Sequence, residues 1–383
     1  MGDRKRLRYG MVGGGLGAFI GAVHRKAIAL EETADLVAAC FSSREEKNKE
    51  TGEFYGIAQD RLYSSYEEMA KAESAREDGI DFVSIVTPNA THYEVAKAFL
   101  EAGIHVACEK PLCFTIEQGE ELEQIAKEKH LMFAVTYTYT GYAMVKLAKE
   151  LVATGEIGNI VNVNAEYLQD WLIDEIGGGN QTTTKMSVWR TDPAKSGISN
   201  CVGDIGTHIE DTVAYITGMH PKKVAAVLDN YGMDLDLNAN ILVEYDNGVH
   251  GVYSCSQVCA GHLNGLVVRV FGSEGSIEWV QEEPDYLKVT KKGQPDQIYH
   301  RGTGYITGMA AERNHIPSGH PEGLTFAFAN IYHGFMKDVL ECVNGHCPEK
   351  NGDYPTVSDG VAGVKFIHAV VDSSKNASVW TEV

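Results

Sequence analysis

At 383 residues, with 44% hydrophobic and 22% charged side chains, the chain is too long for one hydrophobic core and too apolar to be disordered or fibrous. Its 53 acidic residues outnumber the 33 Lys and Arg for a formal net charge of -20, which excludes general nucleic-acid binding by repelling a phosphate backbone. Eight cysteines do not make a disulfide scaffold; all are expected as thiols, as suits a cytoplasmic protein.

Arg4, Lys5, Arg6 and Arg8 precede an apolar stretch, as in a signal peptide. That stretch, residues 9–23, is broken by glycines and runs into His24-Arg25-Lys26, so it reads as strand, loop and helix start. No other run of ~20 apolar residues suggests a membrane span.

Residues 7–12 predict a strand ending in Gly13-Gly14-Gly15-Leu16-Gly17-Ala18, followed by a helix through 24–30. A second strand over 36–41 closes on Ser42-Ser43-Arg44. The third, over 81–86, is cut off by Thr87-Pro88-Asn89. A helix over 92–102 stops at Gly103 and leads to a strand over 105–108, ended by Glu109-Lys110-Pro111. A helix over 117–129 and a strand over 131–135 follow. Short strands alternating with longer helices predict an α/β parallel sheet covered on both faces. Ligands of such sheets sit beyond the strands' carboxyl ends, where all four unusual segments fall.

The glycine run permits a tight turn, and the next helix aims backbone N–H groups at a pyrophosphate. Gly13, Gly15, Gly17, Ala18, Phe19 and Ile20 are therefore candidate cofactor contacts. No Gly-Lys-Ser/Thr follows, which argues against a nucleoside-triphosphate loop. The acid expected at the second strand's end to bind a ribose hydroxyl is missing. Ser42, Ser43 and Arg44 stand there and suit either a 2'-hydroxyl or a 2'-phosphate, leaving NAD and NADP both open, with NAD slightly preferred.

Beyond Tyr137, a helix over 142–154 and a strand over 160–168 precede a polar segment with Trp171, Trp189 and Arg190. Residues 201–206 form a glycine-punctuated turn before a helix over 207–216. Strands over 223–228, 239–244, 251–257, 266–271 and 276–279 predict an open, largely antiparallel sheet in an α+β domain, with a face another subunit can cover. Asp204 and His208, four apart at a helix start, share a face, where a carboxylate and an imidazole can orient a hydroxyl and exchange its proton. Helix capping is the bland alternative for Asp204, and a structural hydrogen bond for His208. A metal site at Glu210 and Asp211 is disfavoured by their facing and by the lack of any spaced ligand motif.

Together, Gly13 to Gly17, Thr87-Pro88-Asn89 with His92, Glu109-Lys110-Pro111, and Gly203-Asp204-Ile205-Gly206-Thr207-His208 resemble the Gfo/Idh/MocA family of oxidoreductases over essentially the whole chain. Ser256-Gln257, Gly319-His320-Pro321-Glu322-Gly323 and Tyr354-Pro355-Thr356-Val357 look like its bacterial sugar and cyclitol dehydrogenase branch. The resemblance implies a Rossmann domain over 1–135 and a substrate-binding and oligomerisation domain over 136–383, whose C-terminal segment is available to pack back on the first. It also implies NAD(P)-dependent hydride transfer at a secondary alcohol of a sugar or cyclitol, in a homodimer or homotetramer.

By that resemblance Lys110 is the catalytic lysine, Asp204 the substrate-orienting carboxylate and His208 the proton acceptor, with Lys110 the alternative acceptor of the proton. Thr87, Pro88, Asn89, His92, Glu109 and Lys110 join the cofactor candidates. Tyr139, Tyr167, Trp171, Trp189, Arg190 and His320 join Lys110, Asp204 and His208 as substrate candidates, although any single aromatic is as readily core. An enzyme that retains its nicotinamide for net epimerisation, elimination or sugar–sugar oxidoreduction is the alternative. A dinucleotide-binding sensor is the non-enzymatic one.

Overall fold

A computed structural model of the chain describes residues 5–178 and 190–383, so Trp189 lies outside the described residues. The chain begins β1 (Leu7–Gly13), α1 (Phe19–Leu30), β2 (Ala34–Cys40), α2 (Glu45–Tyr55) and α3 (Tyr66–Ser74). It continues through β3 (Phe82–Val86), α4 (His92–Glu101), β4 (His105–Cys108), α5 (Ile116–Glu128) and β5 (Phe133–Val135). Next come α6 (Ala143–Ala153), β6 (Ile160–Leu168) and α7 (Thr207–Thr217). Strands β7 (Pro221–Asp229), β8 (Asn238–Tyr245), β9 (His250–Ser256) and β10 (Gly265–Gly272) lead to β11 (Gly275–Val280), β12 (Tyr286–Lys291) and β13 (Gln297–His300). Helices α8 (Leu324–Val343) and α9 (Val357–Lys375) and strand β14 (Thr381–Glu382) follow.

These elements form two compact units. The first runs to Thr138 and takes in Leu324–Val361; the second comprises Tyr139–Gly323 and Ala362–Val383. In the first unit β2-β1-β3-β4-β5 make one parallel sheet. All five residues of β3 are buried, as a strand covered on both faces requires. Helix α8 supplies Phe328, Tyr332 and Phe335 to the same core as Val23 and Ala27 of α1. Phe335 stands edge-on to Phe82 of β3 with ring centroids 5.3 Å apart, a favoured aromatic geometry. The start of α5 is set by a capping box in which the Thr115 hydroxyl accepts the Gln118 N–H and the Gln118 side chain accepts the Thr115 N–H.

In the second unit nine strands, ordered β13-β12-β11-β10-β6-β9-β8-β7-β14, pair antiparallel except for β6 with β9. Helices α6 and α7 pack on each other, and both contact strands of this sheet. The alternation of buried and open residues along β8 marks one face as core and leaves the other open. Strands β12 and β13 and helices α8 and α9 are additions to the sequence-based prediction.

Two expectations are corrected. Residues 202–206 are not a plain turn but a π-helical turn running directly into α7, so Asp204 already belongs to helical backbone. Cys342 and Cys347 are not thiols: they are joined by a disulfide, because α8 ends at Val343 and left-handed Gly345 reverses the chain. The other six cysteines are free. Among the described residues no helix is long and apolar enough to cross a membrane.

Candidate active site

The carboxyl ends of the parallel strands carry the first group of candidates. Gly13, Gly14 and Gly17 adopt φ of 85°, 72° and 80°, a region open to glycine at little cost. Gly14, not among the candidate contacts, thus shapes the turn together with Gly13 and Gly17. A Cβ on Gly21 would sit 2.4 Å from the Gly14 Cα, so α1 approaches the loop as closely as backbone allows. Arg25 fastens this turn from below, donating to the Gly14 carbonyl at 2.8 Å and to the Tyr55 hydroxyl at 2.7 Å.

Helix α1 starts at Phe19 behind Ala18, with no side-chain cap and no acid in its first turn. Its N-terminal partial positive charge is thus neither capped by a side chain nor countered there. Phe19 is 69% exposed, and space beside Gly17 is open. At the end of β2 the Ser42 hydroxyl accepts the Arg44 N–H, while Ser43 and Arg44 are exposed. Beyond β3, the Thr87 Oγ1 is buried without a protein partner, and Pro88 is exposed beside half-buried Asn89. An uncapped helix start, a glycine cradle and an orphaned hydroxyl along one row of strand ends fit a dinucleotide.

His92 and Glu109 are turned inward. The His92 ring nitrogens lie 2.8 Å from the Pro111 carbonyl oxygen and 2.9 Å from that of Thr87, tying the ends of β3 and β4 together. Burial pushes this ring's pKa down against the pull of the two carbonyls. Glu109 Oε1 lies 2.7 Å from His24 Nε2 and accepts the Thr136 hydroxyl at 2.7 Å. His24 Nδ1 in turn meets the Tyr332 hydroxyl at 2.7 Å, and that hydroxyl bonds Ser84 at 2.8 Å. Burial alone would raise the Glu109 pKa, but His24, the Lys110 charge and Thr136 outweigh it and hold the carboxyl below its ordinary range. Half-buried Lys110 follows directly, ahead of a cis peptide to Pro111. Glu109 and His92 thus brace the strand ends that carry Lys110 and Thr87.

The second unit holds the other group. Asp204 Oδ2 accepts the Gln257 side-chain amide at 2.9 Å and lies 3.2 Å from Arg190 Nε. The Arg190 guanidinium is 5.8 Å from the Trp171 ring centroid. His208 is buried, its ring 4.7 Å from that of Tyr139 and 6.2 Å from that of Tyr167. Tyr139 and Tyr167 are buried too and bonded hydroxyl to hydroxyl; Tyr167 donates to Asn264 at 2.6 Å. Burial pushes both phenols up, that of Tyr167 well above the ordinary value. They form an aromatic wall that fixes the imidazole. The Trp171 indole donates to Gln169 at 2.8 Å, whose amide donates to the same Asn264 oxygen at 2.9 Å.

His320 is not drawn into this cluster: it is exposed, and its carbonyl accepts from Arg301. Glu210 and Asp211 are buried in α7. Among the described residues, no three His, Cys, Asp or Glu are gathered to hold a metal ion. Sequence reasoning missed Gln169, Asn264 and Arg25 and gave Gln257 no role. Only the Ser256-Gln257 match pointed to any of them.

The model of the GFO/IDH/MocA oxidoreductase family's NAD-binding Rossmann fold matches residues 7–137, and that of the family's C-terminal domain matches residues 145–278. The uncharacterized oxidoreductase YfiI of Bacillus subtilis (strain 168) is 36% identical, covering 99% of this chain and 97% of its own. The levoglucosan dehydrogenase of Pseudarthrobacter phenanthrenivorans is 29% identical over 79% of this chain and 80% of its own. The crystal structure of an inositol dehydrogenase homolog from Azotobacter vinelandii, complexed with NADH and myo-inositol, superposes with a TM-score of 0.91 at 34% identity. That match covers 100% of this chain and 99% of the other.

Proposed function

The chain belongs to the Gfo/Idh/MocA family of NAD(P)-dependent oxidoreductases, and from that premise we propose that it oxidises a secondary alcohol of a neutral sugar or cyclitol. The observation that carries this reading is the pairing of Asp204, held as an acceptor by Gln257, with His208, held by Tyr139 and Tyr167, on one helical segment. Arg190 is compensated by Asp204, which favours an uncharged polyol over a phosphorylated one. The similar proteins named for levoglucosan and crystallised with myo-inositol also handle neutral polyhydroxylated rings.

A bound nicotinamide supplies the hydride acceptor. His208 takes the proton of the reacting hydroxyl, a role suited to imidazole near neutral pH. Asp204 accepts from a neighbouring hydroxyl and so sets which carbon is presented. Lys110 holds the reacting oxygen and stabilises negative charge as it develops. The glycine turn, the start of α1 and Thr87 hold the dinucleotide, and Ser42, Ser43 and Arg44 face its adenosine ribose.

The enzyme works as a homo-oligomer through the open face of the second unit's sheet. We place it in the cytoplasm, a setting that its six free thiols suit although Cys342 and Cys347 are paired.

The test is a panel of cyclitols, anhydrosugars and aldoses with NAD and NADP separately, followed by the absorbance of the reduced cofactor. Neutral polyols are expected to support reduction and sugar phosphates to fall short. Lys110→Met and His208→Asn should each lower turnover by about 100-fold or more, far more than they lower dinucleotide affinity. Wild-type turnover in both variants, or silence across the panel, would refute the assignment.

A further inference from the structure

Three buried polar side chains behind Asp204 form a relay whose hydrogen-bond polarity is fixed from the backbone outward. The Asp236 carbonyl accepts from the Asn200 side-chain amide at 3.1 Å. The same Asn200 amide donates to Gln257 Oε1 at 2.6 Å, so both of its N–H bonds are used and its orientation is set. Gln257, with its oxygen committed, can present only its NH2 group to Asp204 Oδ2, at 2.9 Å. Flipping Asn200 would set its oxygen against those of Asp236 and Gln257, and flipping Gln257 would set its oxygen against the Asp204 carboxylate. All three side chains are essentially inaccessible: Gln257 is 0%, Asn200 1% and Asp236 5% exposed.

The Asp236 carboxylate anchors the far end. Its Oδ1 accepts the Asn200 N–H at 2.9 Å, and its Oδ2 accepts the Val202 N–H and the Ser199 hydroxyl, each at 3.0 Å. Ser199 Oγ in turn accepts the Gly203 N–H at 3.2 Å. These bonds cap the π-helical turn that carries Asp204. Asp236 therefore fixes where that turn begins through its carboxylate, and which way the amide relay points through its backbone carbonyl.

We propose that Asp236, Asn200 and Gln257 are positioning residues that hold Asp204 as an ionised hydrogen-bond acceptor toward the substrate. This rests on the assignment of Asp204 as the substrate-orienting carboxylate. The relay makes the NH2 of Gln257 a permanent donor to one carboxylate oxygen, which favours the charged form. Titratable groups around Asp204 among the described residues include Arg190, Cys201, His208, Tyr139 and Tyr167.

The variants are Gln257→Glu, Asn200→Asp and Gln257→Asn. The first puts a carboxylate against Asp204. The second removes the donor that orients Gln257, so the amide turns and offers Asp204 its oxygen. Both should raise the Asp204 pKa by about one unit or more, read in protein carrying 13C-labelled aspartate carboxyls with Asp204→Asn to assign the signal. With substrate, the acidic limb of the kcat/KM profile should move up by the same amount. Turnover at neutral pH should fall roughly 10- to 100-fold, the range for a hydrogen bond to a charged group, while dinucleotide affinity holds.

Gln257→Asn keeps the amide but withdraws it by one methylene, and should give a smaller shift in the same direction. Should the first two fail to fold, this milder variant decides. Folded variants with an Asp204 titration like that of the parent overturn the proposal. Loss of polyol oxidation by the parent enzyme would instead overturn the assigned function, because the carboxyl titration needs no substrate.

Discussion

His105 is buried at the first position of β4, where its Nδ1 accepts the Met132 N–H at 2.8 Å. Burial, with no countercharge, pushes its pKa down to about 4 from the 6.5 of a free imidazole. Between those values the unfolded chain binds a proton that the folded one refuses, so stability rises with pH across that window. The contribution is complete above the unfolded value of 6.5 and is lost as pH falls toward 4, a difference of about 3 kcal/mol for that gap. His105→Asn can keep an acceptor for Met132 without titrating. Thermal midpoints of parent and variant between those pH values should diverge in slope, the variant's being flatter; parallel slopes would refute the argument. Nothing in the sequence marks His105 as a titrating core residue, because it stands alone in a short apolar strand with no motif around it, unlike His92 and His208. Asp204 and His208 were legible through the Gly-Asp-x-Gly-x-His spacing. Gln169 and Asn264 were not, and Gln257 only as part of a matched dipeptide without a role, since isolated amides have no periodicity and most of their partners are dozens of residues away.

At the level of elements, the decisive contact is that of α1 with the glycine turn. With a Gly21 Cβ only 2.4 Å from the Gly14 Cα, Gly21→Ala must push the helix start away from the loop. Dinucleotide affinity should fall by about 10-fold or more, measured by fluorescence titration or calorimetry. The second unit's near-ultraviolet circular dichroism should persist. Unaltered affinity would mean that the turn and α1 are not the cofactor's cradle. Glycines at 13, 14, 15 and 17 announced such a turn in the sequence, yet which residue takes which φ depends on how closely the helix approaches. The strands were legible by their short apolar runs. Helix α8 was not, because its 20 residues are buried on several sides and lack the polar stripe that distinguishes a helix from other apolar chain. The π-helical turn was missed for another reason: its start is set by Asp236, 32 positions beyond Asp204.

On the scale of the whole molecule, the open sheet of the second unit poses the remaining physical problem. Register places Ala225, Leu242, Val252, Asn164, Arg269, Glu278, Lys288 and Ile298 in one row across neighbouring strands, all pointing away from the α6 and α7 side. Within and beside that row Leu242 and Val227 are each 50% exposed, Val252 39% and Ile298 58%. Apolar side chains concentrated on β7, β8 and β9 are costly to leave in water, whereas the charged Arg269, Glu278 and Lys288 alongside suit a selective rim. A second copy presenting the same face satisfies both ends of the row at once, which is how a two-fold interface works. The alternation that makes such a face was visible in the sequence; the strand order that assembles it, with β6 parallel to β9, was not, because pairing between distant strands has no local signature. Leu242→Lys combined with Val252→Lys sets like charges directly opposite each other in the middle of the row. Analytical ultracentrifugation should find the parent as a dimer or tetramer and the double variant as a smaller species, with its circular dichroism retained. A monomeric parent, or a folded variant of undiminished mass, would assign this face to solvent.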